Sequence, residues 1–517
     1  MTAPWTAAGR GTATPPGGVR IPFPTVDEVS RHCLSDDEPE TVHIEVHLPG
    51  TLDPERLRAA FRGALLAHPR VLAREVPDRG HRRSFAWELT GRPDTDPVRI
   101  AAPGPDALAR ARSRALTECP PLTLSPPMRL EVVRVDEGTG GQEPSAVPSG
   151  TGTVLLLTTH HTALDAPSGL RVLATTAEQY GGTAALPIAG RVRPGRSGPA
   201  VSGTGGTGRT LRARPVRVAP DSRPGPVRAR AVGNGMVQTD LPLPGRAARN
   251  GDLPPWTVND QLLVAASLTV GRWNVSRGRP AGPVRITMPV DDRPRGAEMP
   301  MGNGTRLVEV AMAPEDPRDT ELLLGEEPDP EAVARLLRTT ARRTRALKSA
   351  QGAPMGAGAS LLTAPLLPVG VRGVLTRGAR RAAASWTSTA LVTNIGRVPY
   401  ALDFGDAGRA TAVWFSAPAR MPRGLSVAAA STGGRLHVSL RWSRALLGDA
   451  AGAELADLFA ESLSTTSLTA DGGVSAVGAS AEDAAEIPDG PYRRDTPRPD
   501  TTTAGTRSPQ DNHKRPS

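Results

Sequence analysis

The segment Thr159-His160-His161-Thr162-Ala163-Leu164-Asp165-Ala166-Pro167-Ser168-Gly169 gathers side chains that can do chemistry. The chain has only 9 histidines in 517 residues, yet two stand side by side here, with an aspartate four positions after the second. Imidazole titrates near neutrality, so a histidine facing a cleft suits general acid–base work. A metal site needs further ligands at workable spacing, and none accompanies the pair, so no metal is expected. The plainer alternative is a pair of satisfied histidines at a strand end, with Asp165 capping a helix.

The flanking elements must hold that segment in place. Thr153 to Thr159 is a continuous apolar and β-branched run and reads as a buried strand. Pro167 to Tyr180 fits a helix with Leu170, Leu173 and Ala177 inward, ended by Gly181-Gly182. Adjacent strand residues point to opposite faces, so one histidine is expected in the core and the other toward a cleft.

Five stretches follow from composition. Residues 1–20 and 467–517 are expected to be disordered tails, and 183–232, rich in Gly, Pro and Arg, a poorly ordered linker. Two structured blocks remain, 21–182 and 233–466. In the first, His43 to Leu48 and Arg129 to Val135 read as strands. Between them, Asp53 and Pro54 open a helix carrying Leu57, Phe61 and Leu65. In the second, Thr257 and Asp260 have capping-box spacing, Glu331 to Lys348 is a long helix, and Thr432-Gly433-Gly434 joins two strands as a hairpin. Both blocks mix helices and strands without strict alternation, which favours an α/β or α+β fold.

Net charge is +10, but the basic residues are scattered and aromatics make up 3%, so no nucleic-acid partner is expected. No apolar run approaches the roughly 20 residues that span a bilayer, and no membrane partner is expected. The N-terminus lacks a signal-peptide apolar region. Cys33 and Cys119 lack partners at metal spacing and read as reduced thiols of a cytoplasmic protein.

The histidine segment resembles the HHxxxD signature of the condensation-domain and chloramphenicol acetyltransferase-like acyltransferase superfamily. Other stretches resemble that family's elements in order: His68-Pro69-Arg70, Pro126-Pro127-Met128-Arg129, Pro289-Val290-Asp291-Asp292-Arg293 with Met301-Gly302-Asn303, and Thr393-Asn394-Ile395-Gly396. Asp403-Phe404-Gly405 is similar to the start of the plant-type DFGWG motif but lacks its tryptophan. Ala166 stands where nonribosomal condensation domains usually carry glycine. No carrier, adenylation or thioesterase motif accompanies the segment, so a free-standing monomer is expected.

The resemblance implies two chloramphenicol acetyltransferase-like lobes forming a V, with a tunnel between them. It selects His161 as the catalytic base and makes His160, Asp165 and Arg293 supporting residues, with Arg293 paired to Asp165. Ser168, Gly169 and Asn394 become candidates for substrate or oxyanion contact. It implies an acyl group moved from acyl-phosphopantetheine on a carrier protein, or from acyl-CoA, to a small amine or alcohol in specialised metabolism such as nonribosomal peptide synthesis. No tightly bound cofactor is implied. Some relatives are silent docking proteins that bind a carrier or recruit a partner enzyme, and this is the alternative.

Overall fold

The computed structural model describes residues 18–77, 83–135, 152–182, 213–221, 232–245, 255–291, 293, 299–350 and 363–467. Residues 1–17 and 468–517 of the expected tails and most of 183–232 lie outside these residues, while Val19 and Arg20, expected in the N-terminal tail, pair with Leu89 and Glu88 in a strand. In chain order the first half contains β1 (Val19–Pro22), α1 (Thr25–His32), β2 (Thr41–Leu48), α2 (Pro54–Ala67), β3 (Ala73–Glu75), β4 (Ala86–Leu89) and β5 (Val98–Ile100). Then come α3 (Ala107–Thr117), β6 (Met128–Val135), β7 (Gly152–His160) and α4 (Ala166–Gly181). The second half contains β8 (Asn234–Pro242), α5 (Val258–Ser276), β9 (Arg285–Asp291), β10 (Thr305–Ala311), α6 (Asp319–Leu324) and α7 (Pro330–Ser349). It ends with α8 (Val369–Ala382), β11 (Ala390–Arg397), β12 (Ala412–Ser416), β13 (Leu425–Thr432), β14 (Arg435–Ser443) and α9 (Asp449–Ser464).

The mixed α/β architecture rests on three sheets. One has the order β12-β2-β7-β6-β5, the second β10-β9-β11-β13-β14-β8, and a small third β1-β4-β3. Each large sheet carries its own apolar core. Leu57, Phe61 and Leu65 of α2 and Leu170 and Leu173 of α4 pack with Ile44 and Leu157 of the first sheet. Leu262, Leu263 and Trp273 of α5, Leu337 of α7 and Phe459 of α9 pack with Ile286, Val427 and Leu440 of the second. Local sequence explains the helix starts. Asp53 accepts the Arg56 amide, and Thr257 with Asp260 closes a reciprocal capping box.

Two features depart from the expected layout. First, not all of 233–466 belongs to the second core. Tyr400, Phe404, Val413 and Phe415 are buried in the first, and β12 pairs antiparallel with β2. Strand periodicity identifies the two faces of 412–416 but carries no signal for its neighbour. Second, 213–221 inside the expected linker is packed. Val218 and Ala219 are buried in the second core, Ala219 N–H donates to Asn274 Oδ1 at 2.8 Å, and Trp273 Nε1–H donates to Ala219 O at 2.9 Å. Those tertiary partners come from α5, outside any local window.

Strand β2 is buried on both faces. Val42, Ile44, Val46 and Leu48 enter the first core, while Thr41, His43, Glu45 and His47 face the other way. That polar row draws partners from both halves of the chain, with Arg112 Nε–H and Nη2–H donating to Glu45 at 3.1 and 2.7 Å. Arg441 Nη1–H donates to Thr41 O at 2.7 Å, His43 Nδ1 and Ser416 Oγ lie 2.9 Å apart, and Gln238 Nε2–H donates to Glu45 Oε2 at 3.1 Å. A buried polar row is tolerable only when partnered in this way.

Candidate active site

Strand β7 lies between β2 and β6 and delivers the two histidines to the sheet's end. His160 is its last residue and is 5% exposed. Its Nδ1 accepts the Thr162 amide at 3.2 Å, which requires the unprotonated nitrogen there. Burial pushes its pKa down to about 4, against the opposing charge of Glu40, so it is neutral at pH 7. His161 is half-buried in the turn that follows. Its amide donates to Glu40 O at 2.8 Å, and Ala163 and Leu164 amides donate back to His160 O at 2.9 and 3.1 Å.

The His161 ring has a defined polarity. Nδ1–H donates to Leu164 O at 3.4 Å. That contact favours the tautomer with Nε2 unprotonated, which is the form able to accept a proton. Two carboxylates sit close enough to feel an imidazolium at this position, those of Asp27 and Glu40. Burial raises the Asp27 pKa despite hydrogen bonds from Asn303 and Trp87. Burial, the largest single influence, acts upward on Glu40 too, but the Arg420 guanidinium and the two histidines together outweigh it and the pKa is lowered.

Asp165 caps α4 and joins the two halves of the chain. It is 2% exposed. Oδ1 accepts the Ser168 amide at 3.1 Å, and Oδ2 accepts Arg293 Nη2–H at 2.7 Å and the Gly304 amide at 3.1 Å. Arg293 is fully engaged. Nε–H and Nη2–H donate to the two Asp291 oxygens at 2.8 and 3.1 Å, and Nη1–H groups donate to Pro300 O and Gly302 O, each at 3.1 Å. Five donors meet five acceptors, the full capacity of a guanidinium.

The same loop grips the histidine turn at two more points. Ser168 Oγ–H donates to Gly302 O at 2.9 Å and accepts the Gly302 amide at 3.1 Å. Asn303 Nδ2–H reaches three acceptors at 2.9 Å, namely Asp27 Oδ1, His161 O and Thr162 O. These contacts put His161 at the junction of the two lobes. Asp27 is fully buried and also accepts Trp87 Nε1–H at 2.9 Å, with Arg70 Nη2 at 3.4 Å. It went unmarked in the sequence because nothing local distinguishes the acid of Val26-Asp27-Glu28 from a solvated one in a helix's first turn. Glu40 went unmarked for the same reason, since its partner Arg420 is 380 residues away.

The Ser168 and Gly169 amides, both oxyanion candidates, have acceptors within the chain. The Ser168 amide is held by Asp165 Oδ1, its hydroxyl is engaged with Gly302, and the Gly169 amide donates to Asp165 O at 3.1 Å. Gly169 instead permits close packing, since a Cβ there would stand 3.1 Å from Ile44 Cδ1. The capping carboxylate takes the position an anion would occupy at a helix N-terminus. Asn394 Oδ1 accepts the Gly396 amide at 2.7 Å and shapes the bulge where β11 shifts register against β13. Among the described residues no hydrogen bond ties Asn394 to His161. Asp403 Oδ1 accepts the Gly405 amide at 3.0 Å in a turn whose Phe404 fills the first core. Ala166, buried at the first position of α4, fits that helix without strain. A cavity of about 370 Å³ between α2 and the 92–98 loop is lined by Phe61, Leu65 and Asp94 among others, but not by His161.

The wider comparisons bear on the fold. Structures similar to this chain include trichothecene 15-O-acetyltransferase from Fusarium sporotrichioides, at TM-score 0.55 and 11% identity, covering 88% of this chain and 97% of that one. The starter condensation domain of rhizomide synthetase in complex with C8-CoA matches at TM-score 0.54 and 15% identity, covering 86% and 94%. The condensation domain of the monacolin K polyketide synthase matches at 0.52 and 13%, covering 87% and 97%. The chain has the two-lobed condensation-domain and acetyltransferase fold. In sequence, this condensation-like chain is 28% identical over 443 residues to uncharacterized proteins from two strains of Mycobacterium tuberculosis, covering 82% of it and 95% of each relative. No protein-family model matches it. Among the described residues no helix is long and apolar enough to cross a membrane.

Proposed function

We propose that this chain is an acyltransferase of the condensation type, with His161 as its general base. The observation that carries the reading is the His161 ring itself, held at the lobe junction with Nδ1–H on Leu164 O and Nε2 left as the proton acceptor. An amine or hydroxyl attacks the carbonyl of an acyl thioester while Nε2 takes its proton. The tetrahedral intermediate then expels the thiolate, which recovers that proton as the free thiol. No covalent acyl-enzyme is required, because the thioester is already activated.

The donor in this reading is acyl-CoA or an acyl-phosphopantetheine on a carrier protein, and the acceptor is a small molecule of specialised metabolism. Relatives in fold support the donor and acceptor classes, since one holds C8-CoA and another is named as an O-acetyltransferase. Asn394 is kept as an oxyanion candidate, because anchoring of its Oδ1 by Gly396 leaves Nδ2 to donate. Asp165 and Arg293 hold the turn rather than touch substrate.

The experiment is intact-mass analysis of the protein incubated with acyl-CoA or an acyl-loaded carrier and a panel of amines and alcohols. Acyl transfer that the wild type performs and His161→Ala loses supports the reading. Transfer at equal rates in both proteins rejects it.

A further inference from the structure

Helix α8 buries one of its four arginines and leaves an aliphatic stripe outside. Its buried positions are Val369, Arg372, Gly373 and Thr376, and Arg372 is 2% exposed. That arginine is fixed from the protein side by Glu28 Oε1 at 3.2 Å, by Arg83 O at 2.6 Å and by Thr363 O. The outward stripe is Val371, Val374 and Leu375, the i, i+3, i+4 spacing of one helix face. Leu366 and Leu367 precede the helix and Trp386 follows it. Exposure over these six residues runs from 41% at Trp386 to 81% at Leu366. Contiguous exposed aliphatic side chains of this kind mark an interaction surface.

The charge around the stripe indicates which phase. Between Glu331 and Asp403 the sequence has no acidic residue, and Arg381 is exposed beside the stripe, with Arg377 exposed at the helix flank and its Nη1 3.5 Å from His32 O. The Arg214 guanidinium lies 5.6 Å from the Trp386 ring centroid, at the other margin. Aliphatic side chains bordered by arginines and a tryptophan match the interface of an anionic bilayer, where the apolar face enters the acyl region and the cations meet headgroups.

We propose that α8 and its flanks, Leu366 to Trp386, are a docking surface for anionic lipid bilayers. The chain binds flat on the membrane through this face without crossing it. The expectation of no membrane partner rested on spanning length, which does not bear on a helix lying in the interface.

The test is co-sedimentation of the full chain with vesicles of phosphatidylcholine alone and of phosphatidylcholine mixed with phosphatidylglycerol. The protein is expected to bind the anionic vesicles at least about ten-fold better than the neutral ones, with binding falling as salt rises. Val374→Asp combined with Leu375→Asp is expected to lower that binding by about ten-fold or more. Val374→Ser provides the milder comparison if the charged pair alters the melting curve. Absence of binding to anionic vesicles overturns the proposal, and so does equal binding by the variants. Retention of an acidic carrier protein, or self-association in sedimentation velocity, that the same substitutions abolish while vesicles are ignored also overturns it and assigns the face to a protein.

Discussion

Arg293 Nη2 stands 2.7 Å from Asp165 Oδ2, one of several contacts by which the second half of the chain fastens the turn that carries His161. The pair is part of a three-ion cluster with Asp291, and both partners are nearly excluded from water. Removing Asp165 leaves Arg293 paired with Asp291 but takes the acceptor from the Ser168 and Gly304 amides and from one guanidinium N–H, at about 1–3 kcal/mol for each buried group left unpaired. Asp165→Ala is therefore expected to lower the melting temperature and the soluble yield markedly. An unchanged melting curve would show that the pair carries no structural weight.

A glycine guards the same cluster. A Cβ on Gly304 would lie 2.4 Å from Arg293 Cδ and 2.5 Å from Nε, so the arginine would have to leave Asp165. Gly304→Ala should destabilise in the manner of Arg293→Ala, and the double variant should cost clearly less than the sum. Thermal melts of the three proteins make the comparison, and strict additivity would contradict the steric link.

The two adjacent histidines should fail differently. Losing a general base costs roughly 10²–10⁴-fold in rate. On the proposed mechanism His161→Ala lowers single-turnover transfer by that factor while melting near wild type. His160→Ala removes a packed ring and the acceptor for the Thr162 amide, so its loss should appear first in stability. A stable, inactive His160→Ala protein would reverse the assignment.

Acid should weaken the fold before carboxylates titrate in bulk. Burial pushes His43 down to about 3 and His160 down to about 4. The unfolded chain, with histidines near 6.5, then binds more protons than the folded one. Stability is full above the unfolded value and falls as pH drops from about 6.5 toward 4, each group contributing up to about 1.4 kcal/mol per pH unit across its window. Melting at pH 7 and pH 5 should show the drop, and His43→Gln should shrink it. A flat profile in the wild type would argue against neutral buried rings.

How far the sequence revealed this molecule depended on how local each signal was. The β7 strand, the α4 helix and the Thr257 capping box were readable because periodicity and caps act within a few residues. The Asp165–Arg293 pairing was legible only through family resemblance, since 128 residues separate the two. Asp27 and Glu40 were invisible, because an acid's burial is decided by elements that pack over it later. The partners of the Ser168 and Gly169 amides, the Asp165 carboxylate and carbonyl, lie within four residues, and the cap at Asp165 was legible from its place before Pro167.

The path of β12 limits how this chain can be taken apart. A break introduced between the two halves would send strand Ala412–Ser416 away with the second fragment, leaving His43 to His47 of β2 as a bare sheet edge. An N-terminal fragment would then present unpaired backbone beside an orphaned row of histidine and glutamate, an invitation to aggregate. Split-gene expression should give soluble protein only when both pieces are made together and the strand can be handed back. Any ancestral pair of similar lobes has thus lost the autonomy of its parts, and the two now fold as partners in one topology.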